Sequence, residues 1–234
     1  LKAAPTAAER SVLARCREQL LAARGRRVPP LRDDKVLTDW NGLAIAALAR
    51  ASWVLGEAAY HHAAQAAAEF GLKTLRDEAG RLRHRYREGE AAIAAFLDDY
   101  AFLAWGLLEL YDADFDPRWL REAAALMTTL LAQFRTEEGV LSLTAADAET
   151  LFLRPCETHD GALPSGNSVA LANLVRLGLL TGEMKWAGEA EALRRAVSGA
   201  AGRAPLGHTA LLCGLDLALG PTREVVVCGE RDGA

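Results

Sequence analysis

A mainly α-helical fold assembled from repeated helical hairpins is what this sequence predicts, on three observations. Ala, Leu and Arg dominate the 234 residues and aromatics are few. β-branched residues stay scarce until Val225-Val226-Val227, a balance that favours helix. Finally, the sequence repeats itself. Gly80 and Gly139 lie about sixty residues apart, as do Tyr60 and Trp119, and a period of that size suits one helical hairpin per unit. A single core is the default at this length, burying roughly 70–75% of the unfolded surface.

The elements follow in order. Pro5-Thr6-Ala7-Ala8-Glu9 has the form of a capping box, with Thr6 as N-cap and Glu9 reaching back. Val12, Leu13, Cys16, Leu20 and Leu21 then give a helix to about Ala23 its apolar stripe. Gly25 to Pro30 ends it, and Arg32-Asp33-Asp34-Lys35 is a charged loop. Thr38 or Asp39 caps a helix from Trp40 to Leu55, apolar on nearly all sides and therefore expected to be buried. Gly56-Glu57-Ala58-Ala59-Tyr60, Phe115-Asp116-Pro117-Arg118-Trp119 and Gly182-Glu183-Met184-Lys185-Trp186 each open a more polar, Ala-rich helix after a buried one. Two of these helices end alike, at Arg76 to Leu82 and Arg135 to Leu141, sharing R-x-E-x-G-x-L.

Between hairpins, Leu82, His84 and Tyr86 alternate with Arg, and Val140-Leu141-Ser142-Leu143 faces Leu151-Phe152-Leu153 across a polar turn. Both read as short β-arms. The loop His159 to Ser168, tightened by Gly161, Pro164 and Gly166, offers Ser165 or Asn167 as cap to a helix from Val169 to Leu180. A last helix, about Thr209 to Leu219, ends at Gly220-Pro221, and Glu224 to Cys228 reads as a strand. Residues 1–220 are expected to belong to one helical domain and residues 221–234 to open a strand segment, the chain stopping in mid-domain.

Composition excludes several function classes. With net charge −4 and no face rich in Lys or Arg, a nucleic-acid partner is not expected. The longest apolar run, Gly42 to Ala49, stops at Arg50, and the N-terminus lacks a signal pattern, so the chain reads as cytoplasmic and not membrane-bound. Cys16, Cys156, Cys213 and Cys228 form no C-x-x-C pair and no zinc spacing. They read as buried free thiols, and neither metal nor cofactor is expected.

Three buried helices begin with polar clusters: Asp39-Trp40-Asn41, Asp98-Asp99-Tyr100, and His159-Asp160 with Ser165 and Asn167. If the hairpins wind around an axis with like ends together, these clusters meet at one mouth. Carboxylates, an imidazole and aromatic faces are what a sugar site uses, because glycosyl chemistry needs an acid and a base flanking one bond and flat surfaces for stacking. Asp98, Asp99, His159 and Asp160 are the candidate proton carriers, and Asp39, Trp40, Asn41, Tyr100, Ser165 and Asn167 the candidate substrate contacts. Adjacent carboxylates at a buried helix start cannot both ionise cheaply, which raises one pKa and makes a proton donor. The plainer reading of Asp39, Asp98 and Asp99 is helix capping, and of Trp40 and Tyr100, core packing. His84 either rims the mouth or faces solvent.

The motifs Asp33 to Leu43, Phe96 to Phe102 and Asp160 to Ser168 together resemble the thioredoxin-domain-containing YyaL type of protein, akin to the vertebrate spermatogenesis-associated protein, over about Leu20 to Gly229. The resemblance implies an α/α toroid similar to six-hairpin glycosidases and N-acylglucosamine 2-epimerases, of which this chain is the later part. It also implies a thioredoxin-like domain in full-length relatives, and places the three polar motifs at the toroid mouth. The expected function is therefore a carbohydrate-active domain, hydrolase or epimerase, with a carbohydrate ligand. In the epimerase version His159 is the base. The alternative is a non-catalytic glycan- or protein-binding platform. A partial ring leaves apolar helix flanks uncovered, so self-association is expected.

Overall fold

The computed structural model describes residues 4–149 and 152–223. The expected strand Glu224 to Cys228, and Leu151 of the second β-arm, lie outside the described residues. The chain divides into two compact units, Leu1–Lys35 and Val36–Ala234. The first unit holds α1 (Ala7–Gly25), closed by the expected capping box: Thr6 Oγ1 accepts from the Glu9 N–H and Glu9 Oε2 accepts from the Thr6 N–H. No residue of α1 is buried, so its expected stripe is uncovered and Cys16, expected as a buried thiol, is exposed, as are Cys156 and Cys213.

Among the described residues, the second unit contains three helical hairpins and one further helix. Inner helices α2 (Thr38–Leu55), α4 (Leu97–Asp114) and α6 (Gly166–Thr181) alternate with outer helices α3 (Ala58–Thr74), α5 (Pro117–Phe134) and α7 (Met184–Arg203), and α8 (Thr209–Leu219) follows. Every inner helix ends on a left-handed residue, Gly56, Phe115 or Gly182, whose turn sends the chain back along its outer partner. The repeated R-x-E-x-G-x-L segments form the same turn twice. Gly80 and Gly139 take positive φ, and isolated bridges join Arg76 to Leu82 and Arg135 to Leu141. The sequence repeat is thus a structural repeat.

At the centre lies α4, with 12 of its 18 residues buried. It can approach α2 closely because Gly42 faces its backbone: a Cβ there would lie 2.4 Å from the Phe102 carbonyl carbon. Outer helix α5 covers α4 with Trp119, Ala123, Leu126, Met127, Leu130 and Phe134, the spacing of one helical face. The all-round burial expected of α2 is not found. Its Ile45, Ala46 and Ala49 are buried, but Trp53, Val54 and Leu55 are about 60% exposed because no described element packs on that flank.

The first β-arm is present as an antiparallel sheet of β1 (Val36–Leu37), β2 (Arg83–Arg87) and β3 (Glu90–Ala94), with Leu37 opposite Arg85 and Arg85 opposite Ala92. Since β1 runs straight into α2, this sheet sets His84 beside the α2 N-terminus. The second arm forms no ladder among the described residues. Instead the Leu143 N–H donates to the Pro155 carbonyl while the Leu143 carbonyl accepts from the Leu97 N–H, tying the segment to the start of α4. No helix among the described residues is long and apolar enough to cross a membrane.

Candidate functional site

Two short links bring the inner-helix N-termini together. Asp99, completely buried, accepts from the Asp39 N–H through Oδ1 (3.0 Å) and from the Phe96 N–H through Oδ2 (2.7 Å). One carboxylate thereby caps its own helix and holds the first turn of α2. Asp98 faces the other way, against the start of α6, where the nearby Gly166 N–H favours its charged form. Only glycine fits there, because a Cβ at Gly166 would stand 2.3 Å from Asp98 Oδ1.

His84 completes the cluster. Its Nδ1 lies 3.0 Å from both oxygens of Asp99, and this carboxylate raises the imidazole pKa. The ligand atoms of Asp39, His84 and Asp99 lie within 4.8 Å of one another, a spacing that suits a divalent cation. Both Asp99 oxygens are already taken by two backbone N–H groups and the imidazole, however, and we read the trio as an ion pair.

Asp98 titrates above the ordinary carboxylate range. Burial, then the charges of Asp99, Asp39 and Glu157, push its pKa up to about 6 against the opposing pull of the Gly166 N–H. Asp39 is raised more modestly, first by burial and then by Asp99. Asp98 and Glu157 line one cavity of about 260 Å³ between the starts of α4 and α6, with Leu97, Leu143 and Ser165 among its walls. Glu157 is exposed, and its Oε1 accepts from the His159 N–H at 2.7 Å.

Several expected site residues hold the scaffold instead. Asp160 was expected to carry protons, yet four donors occupy its oxygens: the Ser165 N–H and Ser168 hydroxyl on Oδ1, and the Ala210 and Leu211 N–H groups on Oδ2. It ties the loop to the N-termini of α6 and α8. Asn167, expected at substrate, is fully buried and exchanges hydrogen bonds with the Leu141 backbone while donating to the Glu157 carbonyl. Ser165 caps α6 through the Ser168 N–H. Tyr100, 1% exposed, offers no stacking face; its hydroxyl accepts from the Leu82 N–H. Asn41 donates to the Leu37 carbonyl. The His159 imidazole packs on Gly207 and edge-on to His208, whose own nitrogens meet Ala204 and Thr158. The plainer reading fails for Trp40, which is 61% exposed next to Asp39 and free to stack on a ligand.

Glu157 is not among the expected site residues, and His84 is expected either at the rim of the mouth or in solvent. Strand alternation put His84 on the same face as Leu82, but nothing in the sequence names Asp99 as its partner. Glu157 carries no motif at all, and only the folded loop brings it opposite Asp98.

No family model matches the chain. Spermatogenesis-associated protein 20 of Homo sapiens is 33% identical over 226 residues, covering 92% of this chain, and the Mus musculus protein is 32% identical over 225 residues. The chain spans only 29% of the human relative's length. Among solved structures, cellobiose 2-epimerase from Spirochaeta thermophila superposes with a TM-score of 0.59 at 18% identity, covering 82% of this chain and 55% of that one. A glycoside hydrolase family 76 mannosidase from Bacteroides thetaiotaomicron gives 0.56 at 17% identity, covering 69% of this chain and 44% of its own. A family 105 glycoside hydrolase from C. acetobutylicum gives 0.58 at 15% identity, covering 81% and 57%. The fold is accordingly that of the α/α toroids, and the sequence is homologous to a segment of spermatogenesis-associated protein 20.

Proposed function

We propose that the chain is part of a carbohydrate-active toroid domain of the spermatogenesis-associated protein 20 kind, hydrolase or epimerase, in which Asp98 is the proton donor and Glu157 the second carboxylate. One observation carries the reading. Asp98, with a pKa of about 6, shares a cavity with another carboxylate where α4 and α6 begin. A carboxyl that titrates near 6 holds a proton to give and releases it at moderate cost. In a hydrolase, Asp98 protonates the departing sugar oxygen while Glu157 takes a proton from the attacking water. In an epimerase the two exchange a proton beside a sugar carbonyl. Asp99 and His84 then hold Asp98 and Asp39 in place, and Trp40 supplies a stacking surface. The fold neighbours support a sugar as substrate, since the names they carry are those of sugar enzymes.

A second reading draws on the saturation of Asp99, Asp160, Asn167 and Tyr100, all spent on scaffold contacts. It is a non-catalytic glycan or protein platform serving the thioredoxin-like domain expected in full-length relatives. Turnover of a mono- and disaccharide panel decides between the two. We expect Asp98→Asn to lower turnover at least ~100-fold with sugar binding kept, and Glu157→Gln to lower it similarly. Full activity in both variants, or binding without turnover in the parent, favours the platform.

A further inference from the structure

The α4 face that carries Asp98 continues along the helix. Asp98, Trp105, Glu109 and Asp112 are spaced so as to share one side of α4, and Val169, Asn173 and Arg176 extend α6 in the same way. Between these faces and α8 lies a second cavity of about 520 Å³. The α6 N-terminus borders both cavities, Ser165 and Gly166 lining the small one, Pro164 and Ser168 the large one.

This cavity is built around buried polar groups. Glu109, 3% exposed, accepts from Trp105 Nε1 (3.0 Å) and Arg176 (2.9 Å), and Arg176 also reaches Asp112 (2.7 Å). Arg50 meets Glu109 through Nε at 3.5 Å, with its side chain mostly in solvent. Two guanidiniums and two carboxylates leave the cavity without net charge. Asn173 is 1% exposed and donates to the Ala101 carbonyl, but its Oδ1 accepts no hydrogen bond among the described residues.

Size points the same way. Small-molecule sites commonly span roughly 300–1,000 Å³. The Asp98 cavity alone, at about 260 Å³, falls below that range, whereas the neighbouring one falls well within it. We infer that this second cavity continues the sugar site and takes an uncharged, hydroxyl-bearing unit, so that the substrate is a disaccharide or longer. The inference rests on the proposed function, and Trp105 is the aromatic face for the added unit.

Calorimetric titration with glucose and cellobiose, and with mannose and mannobiose, tests it. In the parent protein a disaccharide should bind at least tenfold more tightly than its monosaccharide. Ala172→Phe, which fills the cavity without touching its ion pairs, should bring the two within twofold and leave monosaccharide binding unchanged. Arg50→Ala removes an exposed side chain and should weaken only the disaccharide, so the question stays answerable if Ala172→Phe does not fold. Equal binding of both sugar sizes, unaffected by either variant, overturns the second cavity and leaves the Asp98 site standing. No binding of any sugar by the parent overturns both.

Discussion

At the residue scale, Asp98 combines poor stability with useful chemistry. Its folded pKa of about 6 lies above the unfolded value of 3.8, so the folded state holds its proton more tightly. Stability from this group is therefore present below pH 3.8 and lost as the pH rises to about 6. Asp98→Asn should stabilise the protein at pH 8 by on the order of 2 kcal/mol while abolishing turnover. Denaturant melts at pH 4 and pH 8 check this: the gain should shrink at the lower pH, and an equal effect at both would contradict it. Asp160 behaves oppositely. Asp160→Ala orphans four donors, two of them at the α8 N-terminus, and should cost about 3 kcal/mol or more by the same melts. A loss below about 1 kcal/mol would count against its scaffold role. The adjacent carboxylates were legible from sequence, because charge repulsion at a helix start needs no tertiary information. The division of labour was not. Which aspartate becomes saturated depends on backbone donors from residues dozens of positions away, and the same holds for Asp160 and Asn167.

Among the elements, the hairpin repeat was the most legible feature, since each unit reuses the same turn residues and apolar spacing. Phe115 is the informative departure. It occupies the left-handed position that Gly56 and Gly182 fill elsewhere, at φ 57°, and is largely exposed. Phe115→Gly should raise stability by about 1 kcal/mol in chemical denaturation. An unchanged or lower midpoint would mean that its edge-on contact with Tyr111 outweighs the strain. Gly42→Ala should do the reverse. Its methyl has no room against the α4 backbone, and a cost of about 3 kcal/mol or more is expected from the forced separation of α2 and α4. The one-sided burial of α2 was not legible, because an apolar sequence does not say which neighbours are at hand to cover it.

For the whole toroid unit, the convergence of helix starts was foreseen from their polar clusters, whereas the contents of the meeting point needed His84 from a strand and Glu157 from a loop. The uncovered α2 flank, with Trp53, Val54 and Leu55 about 60% exposed, should drive self-association. Sedimentation at rising concentration should show dimers or larger species, and a monomer throughout would contradict that. The most direct measurement of the central claim is a carboxyl-carbon NMR titration of Asp98, repeated in the presence of the sugar that binds most tightly. A proton-donating carboxyl at a sugar site should titrate near pH 6 and shift when sugar is added. Titration near pH 4, unmoved by any sugar, would contradict it.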